Sequence, residues 1–399
     1  MNRRAGLGAL AAAVALTALL AGGCAGPQPP PVQQPDQPPA PVAEEEEDVA
    51  FRGLWITRWD YRSAQDVERA IDDAAELGIT DVFFQVRGQA DAFYRSELEP
   101  WGHQLGGDPG YDPLALAIVR AHHRGLRLHA WVNVFPLWKG LEPPADPAHP
   151  FLRHPDWRLH DETGAPQPMS EFYVVADPTQ PAVQDHVAAV MRDICGRYEV
   201  DGLHLDYVRF VGEALDAAHL WPGDPPSVER WRQAGGTGDP FTPEGRLIHQ
   251  AWIRAEITRL VARIGRECRA LRPQLVYSAA VLRHPDIARD SYQQDAAAWL
   301  NDELLDLALP MIYTARLEDF RHDLAAWRDA VAAERLVPGI GVYKHAPGDL
   351  APQLAACAGT AGWSLFAYSS LFTSANPDQD RSEEARAVRR ALREELRGD

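Results

Sequence analysis

Cysteine is scarce in this chain of 399 residues: there are four, and none lies in a CxxC pair. Cys195, Cys268 and Cys357 sit far apart inside apolar or helical patterns. A disulfide framework wants an even set at tight spacing, and a structural zinc site wants clustered ligands. The three read as buried free thiols, with one pairing left open in an oxidising compartment. Positive charge is also in short supply, with 39 Lys and Arg against 57 Asp and Glu and a net charge of −18. No basic stripe offsets it, so nucleic acid is an unsuitable partner. The fingerprints GxGxxG and GxxxxGK(S/T) are missing, and with them the sequence signals of a dinucleotide or P-loop site.

What is present begins with a secretion signal. Arg3 and Arg4 precede an Ala/Leu-rich run over 7–20, and Ala21, Gly22 and Gly23 then lead to Cys24. The run is short for a membrane span. Its end, LAGGC, resembles the bacterial lipobox, which implies a signal peptide over 1–23 and a lipid on Cys24. The plainer alternative is a secreted protein with a chance cysteine. Ala25 after the cysteine leans toward the outer membrane. Residues 24–49 form a tether, Pro- and Gln-rich to position 43 and acidic over 44–48, which cannot bury a core. The expected place is therefore the cell envelope, lipid-anchored and facing the periplasm.

From residue 51 the texture changes, and no second linker follows, so 50–399 is expected to be one catalytic-size domain. Strand and helix signals alternate. Strands are expected at 52–57, 81–87, 126–134, 200–210, 276–281, 304–313, 337–342 and 362–368. Helices are expected at 63–77, 113–124, 181–198, 245–271, 290–301, 317–334, 349–358 and 382–397, with Ser63 as a cap and Gly78 as a stop. Eight βα units predict an α/β fold of the (β/α)8 TIM-barrel type. The segments 88–112, 135–180 and 211–244 are long and leave the C-terminal ends of strands, the face where such barrels work. Phe93, Tyr94, Trp101, Trp138, Trp157 and Trp221 give these loops aromatic faces on which sugar rings stack or which plug the loops.

A strand has period 2, so alternate residues share a face. In VDGLHLDYVRF (200–210), His204 and Asp206 oppose Leu203 and Leu205. Gln85 and Arg87 share a face on the second strand, as His129 and Asn133 do on the third. Tyr313 ends the sixth, and Arg58, Trp59 and Asp60 end the first. Buried charge is costly unless paired, so these positions predict a polar, working mouth. Structural alternatives remain open for several. Arg87 could serve as counter-ion to Asp60 or Asp206, and His129 and His204 could be satisfied core histidines.

The segments RGLWITRWD (52–60), QVRGQADAFYRSELEPW (85–101), GYDPLALAIVRAHHRGLRLHAWVN (110–133), DGLHLDYVRF (201–210) and PMIY (310–313) resemble glycosyl-hydrolase-like family ten, the YngK-type bacterial envelope lipoproteins. The resemblance implies a TIM barrel and hydrolysis of glycosidic bonds. There is a looser likeness to chitinase-type barrels (DGxDxDxE, MxYD) in Asp201, Gly202, Asp206, Met311 and Tyr313. It breaks at His204, at Val208 where the Glu would stand, and at Thr314, so that mechanism does not transfer.

Glycoside hydrolysis wants two carboxyl groups, one ionised and one protonated near neutrality. Asp206 is the first candidate, as nucleophile or base. Its partner is sought among Asp60 and Asp91, with Asp286 and Asp295 behind them. Gln85, Arg87, His129, Asn133, His204, Arg209 and Tyr313 are expected to bind sugar or to hold charge. No cofactor is called for. The expected partner is a glycan polymer, peptidoglycan strands first and exopolysaccharide second. Two other readings compete: a non-catalytic carbohydrate-binding lipoprotein, and a metal-dependent hydrolase using His129, His204 and Asp206.

Overall fold

The computed structural model describes residues 50–211 and 215–398. The expected signal peptide over 1–23, Cys24 and the expected tether over 24–49 lie outside the described residues.

Eight parallel strands close into a barrel: β1 (Phe51–Ile56), β2 (Asp81–Arg87), β3 (Arg127–Asn133), β6 (Gly202–Asp206), β7 (Val276–Leu282), β8 (Leu307–Met311), β9 (Gly339–Gly341) and β10 (Gly362–Phe366), in that order around the ring. The segment after β3 adds an antiparallel hairpin, β4 (Pro136–Lys139) with β5 (Tyr173–Val175). The helices are α1 (Ala64–Glu76), α2 (Pro113–His123), α3 (Pro150–Arg153), α4 (Pro181–Arg197), α5 (Pro225–Gln233), α6 (Pro243–Leu271), α7 (Pro285–Tyr292), α8 (Ala296–Asn301), α9 (Leu317–Ala330), α10 (Ala351–Ala356) and α11 (Glu383–Arg397). The expected (β/α)8 architecture is observed.

Local chemistry explains the boundaries. Ser63 Oγ accepts from the Asp66 amide at 3.2 Å while Asp66 Oδ2 accepts from the Ser63 amide at 3.1 Å, a capping box that starts α1. The strand expected over 200–210 stops at Asp206, because Tyr207 takes a left-handed φ of 50° and donates its amide to Asp206 Oδ1 at 2.7 Å. The helix expected over 290–301 is two, Pro285–Tyr292 and Ala296–Asn301, interrupted by Gln293 at φ 54°. The strand expected over 337–342 shrinks to Gly339–Gly341.

The main apolar core lies between sheet and helices, with Trp231, Trp299 and Trp327 fully buried in it. A smaller cluster fills the barrel, built on Phe51, Trp55, Phe83, Trp131 and Leu309. Cys195, Cys268 and Cys357 are buried and free.

Candidate active site

The barrel mouth holds a cavity of about 230 Å³. Of the residues expected to catalyse or to bind sugar, Gln85, Asn133, Asp206, Arg209 and Tyr313 line it. Asn133 and Asp206 are register partners at the ends of β3 and β6, which sets them side by side at the same height. Arg58, Trp59, Trp131, Tyr173 and Tyr207 complete much of the wall.

Asp206 is the carboxyl of this cavity. Its side chain is buried, Oδ1 accepts from the Tyr207 amide, and Oδ2 accepts from Trp131 Nε1 at 3.3 Å. Burial pushes its carboxyl above the ordinary aspartate range, against the pull of Arg209, the Tyr207 amide, Trp131 and Arg58. A carboxyl raised in this way keeps its proton to a higher pH than an ordinary aspartate, the direction that suits donation to a leaving oxygen. Arg209 stacks its guanidinium 4.4 Å from the Tyr207 ring centroid. Tyr313 stacks on Phe366 at 5.2 Å, and burial together with the charge of Asp206 holds its phenol well above its usual range.

Gln85 and Asn133 form a platform rather than a free pair of sugar ligands. Gln85 Nε2 donates to Asn133 Oδ1 at 3.3 Å, Gln85 Oε1 accepts from the Arg58 amide at 3.0 Å, and Asn133 Nδ2 donates to the Gly88 carbonyl at 3.0 Å. Arg58 Nη2 in turn donates to the Tyr173 hydroxyl at 3.0 Å.

The other sequence candidates lie elsewhere, for reasons the structure makes plain. Asp60 closes its own turn, Oδ2 accepting from both the amide and the hydroxyl of Thr57 at 2.8 Å, and it is not part of the cavity wall. Asp91 lines a separate cleft, with Oδ1 accepting from the Gly88 and Gln89 amides at 3.2 and 2.9 Å. Arg87 pairs with neither Asp60 nor Asp206. Its guanidinium forks onto Glu99. His129 donates to Asp81 Oδ1 at 2.8 Å near the opposite end of the barrel. His204 contacts Ser278 Oγ at 2.8 Å through Nδ1 and packs its ring 4.7 Å from Trp55, and burial pushes its pKa well down. His129 and His204 are therefore core histidines. Asp286 is exposed, and Asp295 faces Arg254 at 4.0 Å. Among the described residues no group of three or more His, Cys, Asp or Glu is arranged to hold a metal.

Several wall residues escaped the sequence reading. Trp131 shares the inward face of His129 and Asn133, so period 2 already offered it. Tyr173 arrives on β5, inside a long segment whose hairpin carried no clear signal. Of the loop aromatics, Phe93 and Tyr94 are fully buried core, and Trp157 stacks on His154 at 4.0 Å. Trp101 and Trp138 line the cleft that contains Asp91.

A closed (β/α)8 barrel with a buried acid and aromatic walls at the C-terminal mouth is the architecture of a glycoside-hydrolase-type protein. The chain belongs to the Glycosyl hydrolase-like 10 family, whose model matches residues 50–344. It is similar to the glycosyl hydrolase DigH of Escherichia coli K12, 26% identical over 359 residues and covering 76% of each chain. It is 29% identical over 183 residues to the glycosyl hydrolase YngK of Bacillus subtilis, covering 41% of this chain and 34% of that one. Among solved structures it resembles the glycoside hydrolase domain of PgaB (BpsB) from Bordetella bronchiseptica, with a TM-score of 0.62 at 13% identity over 86% of this chain and 99% of that one. An α-L-fucosidase from Paenibacillus thiaminolyticus gives 0.59 at 15% identity, covering 88% of this chain and 49% of that one. Family and relatives support a glycosidase-type function.

Proposed function

We propose that the protein is a cell-envelope glycoside hydrolase that cuts a glycan polymer, peptidoglycan strands in the first place, with Asp206 as the proton-donating carboxyl. The observation that carries the reading is Asp206 itself, buried at the end of β6 in a sugar-sized cavity, with its carboxyl raised by burial. Trp131 and the Tyr207 amide hold it in place. Arg209 and Tyr313 face the same space and supply donors for sugar oxygens. Asp206 would protonate the glycosidic oxygen as the bond to the anomeric carbon breaks, and would take a proton back from the incoming water.

The polymer is inferred from place. The LAGGC sequence supports a lipid on Cys24, and the Pro-rich tether would carry the barrel into the periplasm, where the wall is the nearest glycan. Purified sacculi, intact and stripped of stem peptides, provide the test. Release of soluble glycan fragments by the wild type but not by Asp206→Asn is the expected result. Binding without release by the wild type would make the protein a carbohydrate-binding lipoprotein instead. Labelling with a fatty-acid analogue, lost in Cys24→Ala, tests the anchor.

A further inference from the structure

Two thiols that stand far apart in sequence meet in the fold. Cys195 lies in the last turn of α4 and Cys268 in the last turn of α6, at 1% and 0% exposure. On each helix the cysteine continues the buried stripe, after Met191 on α4 and after Val261 and Ile264 on α6.

Bonds between the two helices fix their register. Gln184 Nε2 donates to Glu256 Oε2 at 3.2 Å and Arg263 Nη1 to Asp185 Oδ1 at 2.6 Å. Arg192 Nη1 donates to Glu267 Oε2 at 2.5 Å, and Arg272 Nε to the Cys195 carbonyl at 2.9 Å. The two sets of numbers rise together, so the helices run side by side in one direction. Cys195 therefore stands level with the stretch 267–272, which contains Cys268.

The sulfurs are in contact. The Cys195 thiol is hydrogen-bonded to that of Cys268, and this bond, followed by burial, pushes it far above the ordinary thiol range. Tyr277 of β7 lies against the pair: its phenol is pushed well up by burial, then by Cys268, with Cys195 adding to the effect. Cys357 has another partner, donating its thiol to the Gln353 carbonyl one turn back at 3.4 Å.

We infer that Cys195 and Cys268 are the two halves of a disulfide that closes when the chain folds under oxidising conditions and staples α4 to α6. The oxidant is a second disulfide, on a small molecule or on an exchange protein. One cysteine thiolate attacks it to give a mixed disulfide, and the other thiolate then attacks the protein sulfur of that bond. The S–S bond forms between Cys195 and Cys268, and the oxidant leaves as two thiols carrying the two electrons and two protons. Both sulfurs are shielded in the finished fold, so the exchange belongs to folding, before α6 docks on α4. The staple joins the helix ends that lead into β6 and β7, on the barrel face opposite the mouth, the face that serves stability. It rests on the envelope reading only for where the oxidant is met in the cell, and the test supplies the oxidant itself.

The full-length chain carrying Cys24→Ala is made by cell-free translation without membranes, once with oxidised glutathione and a disulfide isomerase and once with dithiothreitol. Each product is denatured, alkylated and digested for mass spectrometry. Under oxidising conditions a linked Cys195–Cys268 peptide is expected and neither cysteine takes the alkylating agent, while Cys357 takes it in both products. The oxidised protein is expected to melt about 5 °C above the reduced one. That gap is expected to vanish in the double variant Cys195→Ala with Cys268→Ala. Alkylation of Cys195 and Cys268 to the same extent as Cys357, or a link that involves Cys357, overturns the pairing. A link that leaves the melting temperature unchanged overturns the staple. Loss of the hydrolase reading in the glycan-release assay, or of the anchor in the fatty-acid labelling, leaves this outcome as it stands.

Discussion

Arg87 and Glu99 meet as a buried fork, Nε to Oε2 at 2.8 Å and Nη2 to Oε1 at 2.7 Å. The remaining nitrogen of Arg87 donates to the Asn133 carbonyl and, at 2.9 Å, to the Val134 carbonyl. His186 of α4 donates to Glu99 Oε1 at 2.8 Å. One arginine thus ties the end of β2, the end of β3 and the loop carrying the cleft into one piece. It positions Asn133 without entering the cavity.

Removing one partner of this pair strands the other charge in the core. Glu99→Ala is expected to cost about 3–5 kcal/mol in denaturant unfolding. The substitution of both partners, Arg87→Met with Glu99→Leu, should recover part of that loss. A double variant whose cost equals the sum of the two single costs would show that the pair is not coupled.

The same carboxylate sets a limit on acid stability. Burial raises Glu99, but Arg87 and His186 overcome it and bring its pKa down to about 2 from an ordinary 4.5. A depressed folded value stabilises the protein above the unfolded pKa, and that contribution is lost as pH falls toward about 2. Glu99→Gln should therefore show a flatter stability profile across this interval than the wild type, measured by urea midpoints at successive pH values.

Asp206 has the opposite sign. Its folded pKa is raised, so the ionised form is a burden on the fold at neutral pH and the burden disappears as pH falls below the folded pKa. Asp206→Asn is expected to melt at a higher temperature than the wild type at neutral pH, with the gap closing in acid. Glycan release should fall by about 10²–10⁴-fold in the same variant, the scale of a lost general acid. In the wild type, release should decline as pH rises through the Asp206 pKa. Arg209→Met removes the strongest pull against protonation and should move that decline to higher pH.

Period-2 patterning and the family likeness make the barrel and its inward faces readable, and they single out Asp206, Asn133, Gln85, Arg209 and Tyr313, which line the cavity. Depth along the barrel was not readable. His129, His204 and Asp206 all point inward, yet His129 lies level with Gly202 at the start of β6, while Asp206 is at its end. Alternation gives a face, and only the register between strands gives a height. Glu99 was hidden for another reason: it comes from an irregular loop, where no periodicity says which residue turns inward to meet a buried arginine. Asp60 shows the same limit, since a carboxylate at a strand end serves equally well to close a turn.

Gly202 offers a sharp test of that register. A Cβ at this position would lie 1.9 Å from His129 Nδ1 and 2.7 Å from its Cε1, so the glycine of the Asp-Gly pair is there to admit the imidazole. The imidazole is fixed in turn by Asp81, which Arg127 also holds through bonds of 2.7 and 2.8 Å. Gly202→Ala is expected to destabilise at or above the roughly 1–3 kcal/mol typical of an overpacked core. His129→Ala removes the obstacle but also a ligand of Asp81, so it is destabilising alone. In the double variant the clash is gone, and its cost should fall short of the sum of the single costs by about 1 kcal/mol or more. Additive costs in urea unfolding would mean that β3 and β6 are not paired in this register.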